Sequence, residues 1–213
     1  MRHNSEASNT LQHHSYDHEH ESDANASLLH VSNQTHQHTH YHYHVTIPKV
    51  NNHCGTTTLS HKPTVRIFTK ADTNYSLTIR DHKVVLALSN PNDDYQHWYK
   101  IEKYGSIVKD EEGCQAFSLV NKVTGQAIKH TEGGTSTHPV CLVPYNPCKF
   151  DDSILWTESL ECYDGYRAIR VVNNIQLNVD AFGGGEVHDG TPVILWDWNN
   201  GDHQKWKILP YCK

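Results

Sequence analysis

Residues 195–206 read LWDWNNGDHQKW. Three tryptophans, two aspartates, two asparagines, a glutamine and a histidine share those twelve positions. Indoles offer flat apolar faces. Carboxylates, amides and imidazole offer donors and acceptors. A buried strand needs fewer polar groups than this, and a plain surface loop needs fewer rings. The string suits recognition of a ligand with one apolar face and a fan of hydrogen-bonding groups. Catalysis is not expected: no GxSxG, HExxH or P-loop is present. A glycosidase needs two carboxylates across a cleft. Here Asp93 and Asp94, Glu111 and Glu112, and Asp151 and Asp152 come as adjacent pairs in polar loops, the usual pattern of solvated charges. No cofactor is expected either.

Something must hold that string in place. From Thr64 onward, short apolar stretches recur every eight to twelve residues, among them TVRIFTK, YSLTIRD, KVVLAL, IQLNVDA and PVILWDW. Turn signals such as NPNDD, GGG and NNGD separate them. No amphipathic helix of three turns is visible. The strands also repeat. Units end in YQHW at Trp98, SILW at Trp156 and HQKW at Trp206, spaced 58 and 50 residues apart. Three units of four strands about a pseudo-threefold axis predict an all-β protein of the β-trefoil kind, with the three tryptophans in a shared core. A six-stranded sandwich is the alternative, and it fits three equivalent tryptophans poorly.

The remaining composition bounds the partners. The net charge is −6, so no nucleic-acid partner is expected. No apolar run approaches a membrane span, so no membrane partner is expected. The start lacks an apolar leader core, so a secretory signal is not expected. The six cysteines are then expected as free thiols. Residues 1–60 carry eleven of the nineteen histidines before position 45 and few large apolar residues. They are expected to be a disordered region preceding a domain over 61–213. Within them THQHTHYHYH could bind a transition metal weakly, but no fixed four-ligand geometry is evident and no metal site is expected.

The Q-x-W ending of two units resembles the ricin-B-type lectin superfamily. Longer strings go further: ADTNYSLTIRDHKVVLA, YQHWYKIEKYG, FSLVNKVTGQAIKH, DGYRAIRVVNNIQLNVDAF and LWDWNNGDHQKWKI closely resemble the Euonymus-lectin domain of plants, over about residues 63–211. The resemblance implies a β-trefoil, glycan binding without catalysis, residence in nucleus and cytoplasm, and expression under stress. Glycans or glycoproteins are the implied partners. A protein-binding trefoil without sugar binding is the alternative. No oligomeric state is read from the sequence.

A sugar offers hydroxyl pairs and one C–H-rich face. Its site needs a carboxylate or amide for the hydroxyls and a ring for the face. On the ricin-type pattern the third unit supplies Asp180 as carboxylate and Trp196 as stacking ring. Ile194 packs the apolar edge, and Gln204 holds Asp180 or a hydroxyl. Trp198 and Asn199 extend the contact for larger glycans, and Trp206 belongs to the core. The first unit offers Asp81 but has Leu88 and Tyr95 where ring and amide belong. The second has Lys129, Val143 and Ile154. One shallow site is therefore expected, binding monosaccharides on the order of millimolar. His203 stands where the resembled family has Asn. A protonated imidazole could pair with Asp180 and compete with sugar. Affinity is expected to fall as pH drops from roughly 7.5 to 5.5, the range in which histidines usually titrate.

Overall fold

A computed structural model describes residues 59–130, 137–182 and 186–211. The expectation for residues 1–60 lies outside them but for the last two. Twelve strands fall into three units of four. The first unit holds β1 (Val65–Thr69), β2 (Tyr75–Arg80), β3 (Lys83–Leu88) and β4 (Trp98–Ile101). The second holds β5 (Ala116–Asn121), β6 (Gln126–Lys129), β7 (Cys141–Pro144) and β8 (Trp156–Glu158). The third holds β9 (Ile169–Val171), β10 (Asn174–Ala181), β11 (Val193–Asp197) and β12 (Trp206–Pro210). No helix among the described residues is long and apolar enough to cross a membrane.

The outer strands of the three units form a barrel. They pair antiparallel in the order β12, β1, β4, β5, β8, β9. The ring closes where Arg167, just before β9, and Trp206 on β12 exchange backbone hydrogen bonds of 2.9 and 2.8 Å. Closure leaves no unpaired barrel edge. The inner pairs β2–β3, β6–β7 and β10–β11 are hairpins. Bridges between Val85 and Pro192, and between Pro139 and Ile194, join the third hairpin to the first and second units.

The predicted tryptophan trio sits in the core. Trp98, Trp156 and Trp206 are fully buried, and each opens the last strand of its unit. Burying an indole removes about 150–250 Å² from water, worth about 4–6 kcal/mol before ordering costs. Each Nε1 finds a backbone acceptor. Trp98 donates to Leu77 O at 2.9 Å, Trp156 to Ile128 O at 3.1 Å and Trp206 to Val179 O at 2.8 Å. These three bonds mark equivalent positions in the second strand of each unit.

The cysteine expectation needs a correction. Cys114, Cys141 and Cys162 are free, but Cys148 is disulfide-bonded. Spacing alone, without a CxxC motif, carried no signal for that bond.

Candidate binding site

The outer face of the third hairpin carries the groups of the quoted string. Leu177, Val179 and Ala181 on β10, with Val193 and Leu195 on β11, belong to the core. Strand alternation sends Asn178, Asp180, Ile194 and Trp196 to the opposite face. Asp180 lies across from Ile194, and Asn178 across from Trp196. Trp196 is thus a diagonal neighbour of Asp180, within reach of a ligand that touches both.

Asp180 is only 3% exposed. Burial pushes its carboxyl above the ordinary aspartate value, against the opposing pull of His203 and of a hydrogen bond from Gln204. His203 Nε2 lies 3.4 Å from Asp180 Oδ2. Asn199 Nδ2 lies 3.5 Å from the same imidazole nitrogen, and Asn199 Oδ1 accepts from Gly201 N at 2.8 Å. The half-buried Trp196 ring stacks on Phe182, with centroids 5.9 Å apart and planes at 22°. Phe182 is 48% exposed and follows Asp180 by two residues. The sequence reading missed Phe182, although the period of two through 178, 180 and 182 pointed to it.

Gln204 and Ile194 pack against the carboxylate. Gln204 is fully buried; its Nε2 donates to Asp197 O at 2.9 Å and its Oε1 accepts from Asn199 N at 2.8 Å. It also reaches Asp180 but is closed to a sugar hydroxyl. Gln96 does the same work in the first unit, donating to Leu88 O at 2.9 Å and accepting from Asn90 N at 2.9 Å. The Q-x-W glutamine is therefore a loop clamp, buried because its amide satisfies two backbone groups. Ile194 is buried as well, bridged to Pro139, and backs the carboxylate. Trp198, 37% exposed, rims a separate cleft farther along the hairpin.

The indole bonds allow the units to be compared position by position. Leu77, Ile128 and Val179 are equivalent. The next residues are Thr78, Lys129 and Asp180. Their cross-strand partners are Val85, Cys141 and Ile194. Two residues on stand Ala87, Val143 and Trp196. The glutamine clamps agree, since they pair Leu88 with Asp197. Two expectations shift accordingly. The carboxylate position of the first unit is Thr78, not Asp81, and its ring position is Ala87, not Leu88. Asp81 and His82 instead form the tight turn between β2 and β3, with φ of 49° and 59°. Lys129 and Val143 stand where they were expected. Only the third unit joins a carboxylate to a ring.

A local departure accompanies that pair. Three-residue 3-10 turns, Asp94–Gln96, Asp152–Ile154 and Asp202–Gln204, precede the three tryptophans. Asp93 and Asp151 cap the first two, accepting from Tyr95 N and Ser153 N. The third is preceded by Gly201 and has no side-chain cap. A Cβ there would stand 2.2 Å from His203 Cε1 and 2.7 Å from its Nδ1. The missing cap, worth about 1 kcal/mol elsewhere, makes room for the imidazole beside Asp180. His203→Asn should uncover the carboxylate, because an amide is smaller than an imidazole. Titration with a responsive glycan at neutral pH should give affinity several-fold tighter than wild type. Unchanged or weaker binding would show that the imidazole does not compete.

A closed barrel of three four-strand units, each with its own hairpin, is a β-trefoil. The chain is 55% identical over 164 residues to the ricin B-like lectin R40G3 of Oryza sativa subsp. japonica, covering 75% of this chain and 79% of that one. The chain belongs to the ricin B-like lectins, in their plant Euonymus-lectin type, a non-catalytic family. It is 56% identical over 157 residues to the ricin B-like lectin EULS3 of Arabidopsis thaliana, covering 72% of this chain and 49% of the relative. It thus spans about half the length of that relative. No family model matches the chain. Among solved structures, the designed threefold-symmetric ThreeFoil aligns with a TM-score of 0.54 at 19% identity, covering 68% of this chain and 97% of its own. The Macrolepiota procera ricin B-like lectin, in complex with lactose, aligns with a TM-score of 0.50 at 21% identity, covering 68% and 93%. Both likenesses support the trefoil.

Proposed function

We propose that this chain binds a neutral sugar on the outer face of its third hairpin. Asp180 accepts from sugar hydroxyls, and the Trp196–Phe182 pair stacks under the C–H face. Asn199 and His203 border the carboxylate from the loop. The observation that carries this reading is that Asp180 and Trp196 have Thr78 and Ala87, or Lys129 and Val143, as counterparts. Lysine cannot accept from hydroxyls, and neither alanine nor valine offers a face. One site with few hydrogen bonds implies monosaccharide affinity on the order of millimolar. The partners are then glycans or glycoproteins. Residence in nucleus and cytoplasm and a role under stress rest on the family resemblance, and imaging of a fluorescent fusion tests the first.

A glycan array with the whole chain tests the binding, with lactose, the sugar held by the Macrolepiota lectin, among the first probes. Trp196→Ala should weaken every responsive glycan by roughly three- to tenfold, the worth of one aromatic stack of about 0.5–1.5 kcal/mol. Silence of the folded wild-type chain across the array would favour a protein-binding trefoil. Equal binding by Trp196→Ala would remove the proposed face.

A further inference from the structure

A second recognition surface adjoins the first. Beyond Trp196 the same hairpin opens onto a cleft of about 280 Å³. Its walls include Asn178 and Gln176 of β10 and Trp198 just after β11; Glu112, Leu160 and Arg170 come from elsewhere in the fold. Asn178 joins the two regions. It lies across from Trp196, and its Cα is one strand period, about 6.8 Å, from that of Asp180.

The chemistry of the cleft repeats that of the site. Trp198 offers a partly exposed indole on one side. Glu112 offers a carboxylate on the other. Arg170 Nη1 donates to Glu112 Oε2 at 2.7 Å, which fixes that side chain while 46% of it stays exposed. Arg170 is itself buried, and its Nε has no hydrogen-bond partner among the described residues. The charges also select. Arg170 is bonded to Asp110 and Glu112, so the cluster carries one positive and two negative charges. A net negative cluster favours neutral hydroxyls over an anionic group.

We infer that this cleft is a subsite for the next residue of the glycan held at Asp180, and that it takes a neutral sugar. Trp198 stacks on that second residue, and Glu112 accepts from its hydroxyls. The subsite rests on the reading of Asp180 as the primary contact. It draws residues from four places in the chain: the β4–β5 loop, the β8–β9 loop, β9 and the third hairpin.

The test compares galactose with lactose, and mannose with mannobiose, by calorimetric titration of the whole chain. Wild type should bind each disaccharide roughly three- to tenfold more tightly than its monosaccharide, the gain expected of one added stack. Trp198→Ala and Glu112→Gln should each shrink that ratio toward one while leaving monosaccharide affinity unchanged. Glu112→Gln keeps an oxygen for Arg170, and thermal melts verify that both variants fold. A disaccharide ending in a uronic acid should gain nothing over its neutral monosaccharide. The proposal is overturned if either variant keeps the wild-type ratio, if monosaccharide affinity falls in step, or if the uronic acid gains. Asp180→Ala separates the two readings. If it abolishes all binding while the ratio ignores Trp198 and Glu112, the cleft alone is wrong. If it binds like wild type, or wild type binds none of these sugars, the Asp180 reading fails and the subsite with it.

Discussion

Asp180→Asn should lose glycan affinity and yet melt no lower than wild type. The two effects have one origin. A carboxylate held 3% exposed has given up most of its water, which is why burial raises its proton affinity. Within the protein, His203 and a hydrogen bond from Gln204 favour its charge, but burial outweighs them. A hydrogen bond to a charged acceptor is worth about 1.5–3 kcal/mol, so the amide should cost roughly ten- to hundredfold in Kd. The sign of the pH response follows. The folded state holds the Asp180 proton more tightly than the unfolded chain does. Protonation therefore favours folding, and that contribution fades as pH rises through the window between the unfolded and folded values. Sugar binding runs the other way, because it needs the ionised group. As pH falls, binding should weaken above the range of an ordinary aspartate. Asp180→Asn, uncharged throughout, should remove both responses. Each 1 kcal/mol recovered at neutral pH would raise Tm by about 2–4 °C at this size. Titrations and melts of both proteins across the same pH series decide it. Retained affinity in the variant, or a marked loss of Tm, contradicts the assignment of Asp180 as a ligand-facing group.

Much of this arrangement was legible in the residues, and the misplaced positions have physical causes. Tryptophans spaced 58 and 50 residues apart, each near the end of a similar string, exposed the threefold repeat. A buried indole is large enough to leave such a mark at each recurrence. Asp180 and Trp196 followed because they sit on the unit whose string matched best. Leu88 was misplaced because a count of ten back from the tryptophan assumes equal spacing, whereas Ala87 lies eleven before Trp98 and Trp196 ten before Trp206. Asp81 was misplaced because likeness between the strings of β2 and β10 ignores how their hairpins differ. Two residues separate β2 from β3, but eleven separate β10 from β11. Loops tolerate such differences at little thermodynamic cost, so they carry no register. Only the pairing of strands restores it. Of the two roles expected of Gln204, holding Asp180 or a hydroxyl, the structure shows the first. A polar residue beside a site reads as a contact until its amide is seen clamping Asn199 N and Asp197 O. Gly201 and Phe182 left fainter signals: a missing cap at one, a strand phase at the other.

Asp110→Ala should be among the most destabilising single changes on the surface between the units, although Asp110 lies in a loop. Its carboxylate is fully buried and accepts four hydrogen bonds. Oδ1 takes Glu112 N at 3.0 Å and Cys114 N at 2.9 Å, which shapes the turn that Gly113 completes with φ of 83°. Oδ2 takes Thr157 Oγ1 from β8 at 2.7 Å and Arg170 Nη2 from β9 at 2.5 Å. The residue thereby ties the β4–β5 loop to two barrel strands. Its loss leaves a buried guanidinium with only the half-exposed Glu112 as counter-ion. Removing one partner of a buried pair typically costs about 3–5 kcal/mol, because the other charge stays out of water. At this size that corresponds to a fall in Tm of about 6–20 °C. Glu112→Ala breaks a more exposed pair and should cost about 1 kcal/mol or less. Replacing Arg170 by Met in the Asp110→Ala background should recover part of the loss, since the orphaned charge is then gone. Urea unfolding of the four proteins reads these differences directly. An Asp110→Ala cost no greater than that of Glu112→Ala, or no recovery in the double variant, would mean that the buried pair does not anchor the loop. The comparison also bears on the cleft, whose Glu112 is held in place by Arg170 only while Asp110 positions that arginine.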